Sequence, residues 1–582
     1  MLISGLVVLL FLSIMVLVDR EILAQFETRG LRSACLTGYF CDGDFVLSAA
    51  PGFHDDEFYL TVAVPSMPRA TIYWTIDGTI PAGGGENRFI TRGDNEIQVS
   101  GRLDASGQIF VADRTSHWRD AILMSHSEEW VWNNHRPENV NGAILPVDDA
   151  RILQGTAFRF KAFVGDTPVT ETMTATYIVE PNATIRFNSV PIVTVTAPYE
   201  DFLHFYGSME DWNYRARLIF NYEYFTSHEG RYTRQYSLLG SSNLGGQWSR
   251  AKEQRTMNVN FARGDLDGVV TYSIFKNIER LYRMRLWNGG NSFRRHHMAD
   301  NFAQKASSEL KVLFSDSQLA VKFINGEFWG FSSIREHTSN EDFVSPHTGI
   351  DKGNILIIDR LRSDVILEGD ENIGQLFLEE LTTFATQTDM STDEAREWLF
   401  DKLFDQESFM DYLIANTFFH NSDWPHNNVR MFRAVNPNLS SSNKYNDGKW
   451  RFILHDMDDV PGWGANPSDS NFSTLYLAEG TNSHFQIFNN PTFVREFVDR
   501  AHYVVEHYFY AERLLALHNE FLEVYRPLLV DMYERFNTYG TVQATITAFE
   551  WHTRRLEEFL IIREYYYRQQ LDYLLERVGL EQ

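Results

Sequence analysis

The chain has 582 residues, of which 43 % are apolar, 14 % aromatic and 22 % charged. That composition belongs to a folded protein of roughly two to four domains, and it excludes a mainly disordered chain, a collagen-like chain and a disulfide-built miniprotein. With 52 basic and 78 acidic residues the formal net charge is −26, which excludes broad binding to nucleic acid or anionic lipid but leaves room for a local basic cluster around one or two phosphates.

Residues 2–18 (LISGLVVLLFLSIMVLV) form an uncharged apolar run closed by Asp19, Arg20 and Glu21. The run is shorter than the ~20 residues of an ordinary spanning helix. Ile22-Leu23-Ala24 before Gln25 offers a small-residue cleavage site, although no Lys or Arg precedes the run. Residues 1–24 therefore read as a signal peptide or a membrane anchor, and the protein as secreted or displayed on the cell surface. The two cysteines, Cys35 and Cys41, either close one small loop in an exported protein or stand as two thiols. No Cys/His constellation points to structural zinc.

Residues 44–180 read as β-structure. Phe58–Val64, Ala70–Ile76, Ala157–Val164 and Thr174–Val179 are short runs with alternating character and Gly, Pro or Asp at their ends, the pattern of an antiparallel sandwich. The strings IYWTIDGTIP and FRFKAFV…TATYIV are similar to the immunoglobulin-like domain at the C-terminus of chitobiases. That resemblance implies an accessory module, with glycan contact as one role for it and core packing as the expectation for Trp74.

Further on, Pro191–Thr196 predicts a strand and Phe302–Leu313 a helix. Residues 319–335 predict two strands joined at Asn325-Gly326, a favoured hairpin turn. Residues 370–420 are helical by period, with Met410, Leu413, Ile414 and Phe418 on one face. From about residue 491 the chain reads as almost wholly helical, and Phe559, Ile562, Tyr566 and Tyr573 suggest a buried face near its end.

The chemistry concentrates in residues 421–464. A helix ends near His420, and the loop Asn421-Ser422-Asp423-Trp424-Pro425-His426-Asn427-Asn428 follows. Next come a strand at Val429–Arg433, a polar loop, and a strand at Trp450–Leu454 that delivers Asp456 and Asp458 into a turn with Gly462 and Gly464. Helix, Asp-x4-Asn loop, strand pair and then Asp is the order of a kinase catalytic core. Phosphoryl transfer asks for hard oxygen ligands for magnesium on one side and a base beside the attacking hydroxyl on the other. In that layout Asp423 accepts or orients the hydroxyl proton, and Asn428 and Asp456 hold the metal.

This segment resembles the spore coat protein H (CotH) kinase family, with its N-x-DW-x-x-NN loop and W-x5-D-x-D strand. A second block, VKFINGEFWGFSSIREHTSNEDFV at 321–344, is similar to that family's NGE-[FY]-WG…RE motif. A third is weaker: GGQWSRAKEQRTMNV at 245–259 followed by RLWNGGN at 285–291. The resemblance implies an α+β, atypical protein-kinase-like fold over residues 187–582, with a helical C-terminal part and a small all-β immunoglobulin-like sandwich before it. It implies ATP and Mg (or Mn) as cofactors and a protein Ser or Thr hydroxyl as acceptor. By the same resemblance Asp423 is the catalytic base, Asn428 and Asp456 are metal ligands with Asp458 as helper, and Glu336 is an acid of the nucleotide site. Relatives carry a phosphate-contacting Lys where this chain has Arg255, so Arg255 or the nearby Lys252 takes that role. Two other readings remain: a non-catalytic kinase-fold surface or coat protein acting in adhesion or assembly, and a carbohydrate-binding protein.

Overall fold

The computed structural model describes residues 39–92, 95–120, 147–207, 216–246, 250, 252–276, 278–360, 364–461 and 465–581. The N-terminal apolar run, Cys35 and the glycines at 462 and 464 lie outside these residues. Cys41 is disulfide-bonded, and Cys35 is the one other cysteine in the chain. Among the described residues no helix is long and apolar enough to cross a membrane.

The chain divides into two compact units. The first comprises the described residues up to Ser242 together with Ala320–Gly330, and the second Asn243–Leu319 with Phe331 to the C-terminus.

In the first unit one sheet has the order Phe40–Asp42, Phe45–Leu47, Phe58–Ala63, Ser106–Val111. A larger sheet has Gly52–His54, Met173–Val179, Thr156–Val164, Thr71–Thr75, Asn95–Leu103 and Arg88–Arg92 in that order. Leu47, Leu60 and Val62 of the first sheet share one core with Ile72, Trp74, Phe158, Phe160 and Tyr177 of the second. Trp74 belongs to that core, as expected. The sandwich departs from the antiparallel expectation at one edge, where Gly52–His54 runs parallel to Met173–Val179. This short strand leads within a few residues into Phe58–Ala63 of the other sheet, so its direction follows from the chain's crossing between sheets. The Asn325-Gly326 turn forms as predicted. Both residues have positive φ (49° and 82°), the backbone that a two-residue hairpin demands and that Asn-Gly supplies at least strain.

In the second unit, strands Met257–Asn260 and Arg283–Trp287 pair antiparallel, and the latter also pairs with the C-terminal half of Glu327–Glu336. A four-stranded antiparallel sheet has the order Asp364–Glu368, Ile355–Arg360, Val429–Ala434, Arg451–Ile453. The helix expected at 302–313 instead spans Ala299–Ala306. It stops early because Leu313 is needed elsewhere: its N–H donates to the Phe452 carbonyl and it bridges to Ile453, which an extended backbone alone allows.

The helix Gln406–Phe418 is buried at every position from Ser408 to Phe418, not along one face as its period suggested. A helix covered on all sides is a core element. Its N-cap Asp405 accepts from the Ser408 N–H at 2.9 Å. Its C-terminal end is closed by Arg563 from the last long helix, Val542–Arg577. The fully buried Arg563 guanidinium donates to the carbonyls of Phe418 (2.7 Å), Thr417 (2.7 Å), Pro467 (2.7 Å) and Asp469 (2.8 Å). This corrects the expected inner face of that helix. Phe559 is buried, but Ile562 and Tyr573 are exposed, and the buried stripe runs through Phe549, Leu556, Leu560, Arg563, Tyr567, Leu571 and Leu574. An Arg in the middle of the stripe concealed it.

Replacing Arg563 by Met leaves the carbonyls of Phe418 and Pro467 without a donor among the described residues, each a loss of about 1–3 kcal/mol, and takes one of two donors from those of Thr417 and Asp469. The expected result is a destabilisation of more than ~3 kcal/mol in chemical denaturation, partly restored in Arg563→Lys. A loss below ~1 kcal/mol would refute the capping role.

Candidate functional site

The loop after the buried helix is held from beneath by one side chain. Tyr412 stacks on Phe452 with ring centroids 4.3 Å apart. Its hydroxyl accepts from the Trp424 indole N–H at 2.9 Å and donates to the Asn428 carbonyl at 3.1 Å. Both ends of the Asp423–Asn428 turn thus rest on a single buried hydroxyl. Within the turn the Asp423 carboxylate accepts from Asn428 Nδ2 (3.0 Å) and Asn427 Nδ2 (2.9 Å), and His426 Nε2 lies 3.2 Å away. Asp423 stays about one-third exposed. Asn428 uses its amide N–H groups on Asp423, and its amide oxygen has no donor among the described residues.

Asn428 and Asp456 both adopt left-handed backbone, with φ of 62° and 54°. Asn and Asp tolerate that region better than other non-glycine residues, at some cost in energy. Asp456 leaves the strand Arg451–Ile453 in this conformation and stays half-buried. Burial, reinforced by the charge of Asp300, pushes its carboxyl up to about 6 in spite of the opposing pull of Arg285. Asp458 is buried, and its carboxyl is raised well above the usual range by burial and by Asp456.

The weak third sequence block proves to be the cradle of Asp458. The Asn291 backbone N–H donates to one carboxylate oxygen at 2.7 Å and Asn291 Nδ2 to the other at 3.0 Å. Gly290 has φ 54°, and a Cβ there would lie 1.9 Å from Asp458 Oδ2, so only glycine fits. Asn288 ties the block together: its side chain accepts from Thr256 Oγ1 (2.9 Å) and the Gly290 N–H (3.0 Å) and donates to the Gln254 carbonyl (2.6 Å). The neighbouring Asp459 accepts from Ser422 Oγ and from Arg295 at 3.3 Å. Asn288, Gly290, Asn291 and Asp459 were not among the expected site residues. The GGN string was the available signal, and it was too short to assign.

The expected phosphate contacts separate. Arg255 is buried, and its Nε donates to the Lys252 carbonyl at 3.3 Å. Lys252 is half-buried, its ammonium lowered by burial and by Arg294 and Arg295, while Glu253 and Asp458 favour its charge. The field of Asp458 therefore reaches Lys252. Glu336 is buried and engaged on both oxygens, with His347 Nε2 at 2.8 Å and the Asp316 N–H at 2.9 Å. Its predecessor Arg335 points the other way, as strand alternation requires. Arg335 donates to Asp300 at 2.6 Å and stacks on Trp287 at 4.7 Å, and its charge acts on Asp456. In the Arg-Glu pair of the second block it is the Arg that faces the acids.

These donors fit a hard divalent cation. Asp456 and Asp458 repel each other in a low-dielectric setting, a strain that bound positive charge relieves. Among the described residues no group of three or more His, Cys, Asp or Glu side chains is arranged to hold a metal ion. Two carboxylates plus an amide oxygen suit magnesium, which keeps waters and shares phosphate oxygens.

The raised carboxyl of Asp456 has a definite pH signature. Its folded-state value, about 6, lies above the unfolded 3.8. The ionised form therefore costs stability at neutral pH, and the cost fades as pH falls through 6 toward 4. Asp456→Asn should stabilise the metal-free protein by ~1–3 kcal/mol at pH 7.5, with a smaller gain at pH 5. Magnesium or manganese should raise the parent's melting temperature and leave the variant's unchanged. An unchanged or lower metal-free melting temperature for Asp456→Asn at pH 7.5 would contradict this.

A family model described as CotH kinase protein matches residues 245–567. No curated protein matches the chain. The matched span covers more than half of the chain and contains the loop, the acid pair and its Asn-Gly-Gly-Asn cradle, so the chain belongs to the CotH kinase family.

Proposed function

We propose that this protein is an atypical kinase that transfers the γ-phosphoryl group of ATP to a Ser or Thr hydroxyl of a protein, from a secreted or surface-displayed position. The observation that carries the reading is the paired left-handed geometry of Asn428 and Asp456 around Asp423, with Asp458 fixed beside them by Asn291. Strained non-glycine backbone in two loops of opposite origin is a feature of functional sites.

In this reading Asp423 receives the hydroxyl proton as the acceptor oxygen bonds to the γ-phosphorus. The bond from that phosphorus to its bridging oxygen breaks, and ADP leaves with the electron pair. Asn427 and Asn428 hold the Asp423 carboxylate in place by donating to it, so the base is oriented before substrate arrives. Asp456, Asp458 and the Asn428 amide oxygen would hold magnesium, whose charge offsets that of the phosphates. Lys252, in the field of Asp458, is the better-placed of the two expected basic residues for a phosphate contact.

A second reading, a binding protein that retains a kinase scaffold, is favoured by Arg255. A forked, buried guanidinium does not reproduce a lysine's mobile point charge. The immunoglobulin-like module, its glycan contact and the anchor or signal at 1–24 belong to the proposal at the same level.

Transfer from labelled ATP with magnesium or manganese to a mixed protein acceptor decides between the readings. The parent should incorporate label. Asp456→Ala and Asp423→Asn should each lose at least ~100-fold, in line with a lost metal ligand or proton acceptor. Tyr412→Phe, which removes only the hydroxyl beneath the loop, should keep the fold, lose ~1–2 kcal/mol of stability and lower kcat more than it raises KM. No label in the parent, with no ATP-dependent rise in melting temperature, would leave the binding-protein reading.

A further inference from the structure

Three arginines stand around the acids of the site. Arg285 on Arg283–Trp287 lies directly across from Arg335 on Glu327–Glu336. Like charges opposite one another in a sheet are unfavourable, so both need anions. Arg335 has one in Asp300, at 2.6 Å. The third, Arg430, is engaged on all sides, by Asp359, by Thr338 Oγ1 at 2.7 Å and by His455 Nδ1 at 3.1 Å. Arg285 differs. Its Nε donates to Asn258 Oδ1 at 3.0 Å, which fixes the plane of the guanidinium, and neither of its Nη groups has a hydrogen-bond partner among the described residues. Its side chain is half-buried.

We propose that Arg285 binds the phosphate chain of the nucleotide, its two free Nη groups forking onto phosphate oxygens beside Asp456. This rests on the kinase reading given above. A planar guanidinium with a fixed plane and free N–H pairs is the preferred bidentate partner of phosphate. The surrounding charge agrees. Arg285 is lowered only to about 10, by burial and by Arg335, so it carries its charge at neutral pH. A neighbouring histidine registers the positive field: burial and then Arg285 and Arg430 push His337 down to about 3. Asp456 offsets part of that field, and a polyanion would offset the remainder. Arg255, turned to a backbone carbonyl, is not required for this contact.

The test compares ATP, adenosine and inorganic tripolyphosphate, with magnesium, on the full chain by calorimetry. Arg285→Met should weaken ATP and tripolyphosphate at least ~10-fold and leave adenosine unchanged. Arg285→Lys should recover part of the loss. Asn258→Ala, which frees the guanidinium plane, should cost ATP a few-fold, and it carries the test if the Arg285 variants do not fold. Equal ATP binding by parent, Arg285→Met and Asn258→Ala overturns the assignment while leaving the kinase reading intact. Binding of tripolyphosphate but not ATP, lost in Arg285→Met, keeps the anion site and removes the nucleotide. A parent that binds neither phosphate compound overturns both.

Discussion

A helix buried on every side cannot leave its last carbonyls to water. In Gln406–Phe418 that constraint is met by Arg563, and much of the site follows from it. The same guanidinium binds the carbonyls of Pro467 and Asp469, so the helix end and the segment after the acid turn share one anchor. The chain then turns at His420, whose φ is 49°, into the loop that carries Asp423 and Asn428. Tyr412, two turns back in the helix, holds the loop from below. The Asp423 carboxylate stays about one-third exposed, and the Tyr412 side chain that holds its loop is buried. The C-terminal helix thus supports the loop through one charged residue as well as by apolar packing.

The second organising constraint is charge. Asp300, Asp359, Asp456 and Asp458 are gathered with Arg285, Arg335, Arg430 and Lys252 in a chain whose overall charge is −26. Two of the acids are matched by close pairs, Arg335–Asp300 and Arg430–Asp359. These pairs build the wall. Asp456 and Asp458 are not matched in this way, and both are pushed toward protonation. Stability alone would favour removing them or pairing them more closely. Their presence beside a guanidinium whose Nη groups have no hydrogen-bond partner among the described residues suits a site that receives a cation and a polyanion together, each offsetting what the protein leaves unbalanced.

Most of the architecture was legible from pattern. The β-rich first part, the Asn325-Gly326 hairpin, the Asp423-to-Asp456 order and the helical end were readable because period, turn chemistry and motif spacing are local properties. Readings failed where a residue served a distant partner. The helix at 302–313 looked continuous because Leu310 and Leu313 are good helix formers, yet Leu313 bridges Ile453. The expected inner face of the last helix, Phe559, Ile562, Tyr566 and Tyr573, missed the buried stripe because that stripe includes a charged residue, the buried cap Arg563. The buried helix looked amphipathic because Asp411, Asn416 and Thr417 are polar. Asp411 is paired with Arg500, Asn416 bonds to Tyr412 and Asn421, and Thr417 bonds to Leu413 and Tyr567, so each is at home in a core.

The same logic bears on the Arg-Glu pair of the second block. Sequence similarity identifies a motif, but strand alternation decides which of its members enters the site. At 335–336 the pleat sends the Arg toward Asp300 and the Glu toward His347 and the Asp316 N–H. Glu336 is thereby fully engaged at a distance in chemistry from phosphate, since both its oxygens already accept. The acids of the site without an ion-pair partner among the described residues are Asp456 and Asp458, which repel each other, and the cation most available to an anionic ligand is the one whose neighbours are cations, Arg285. In this fold, availability is read from what a side chain lacks in its surroundings more than from its place in a motif.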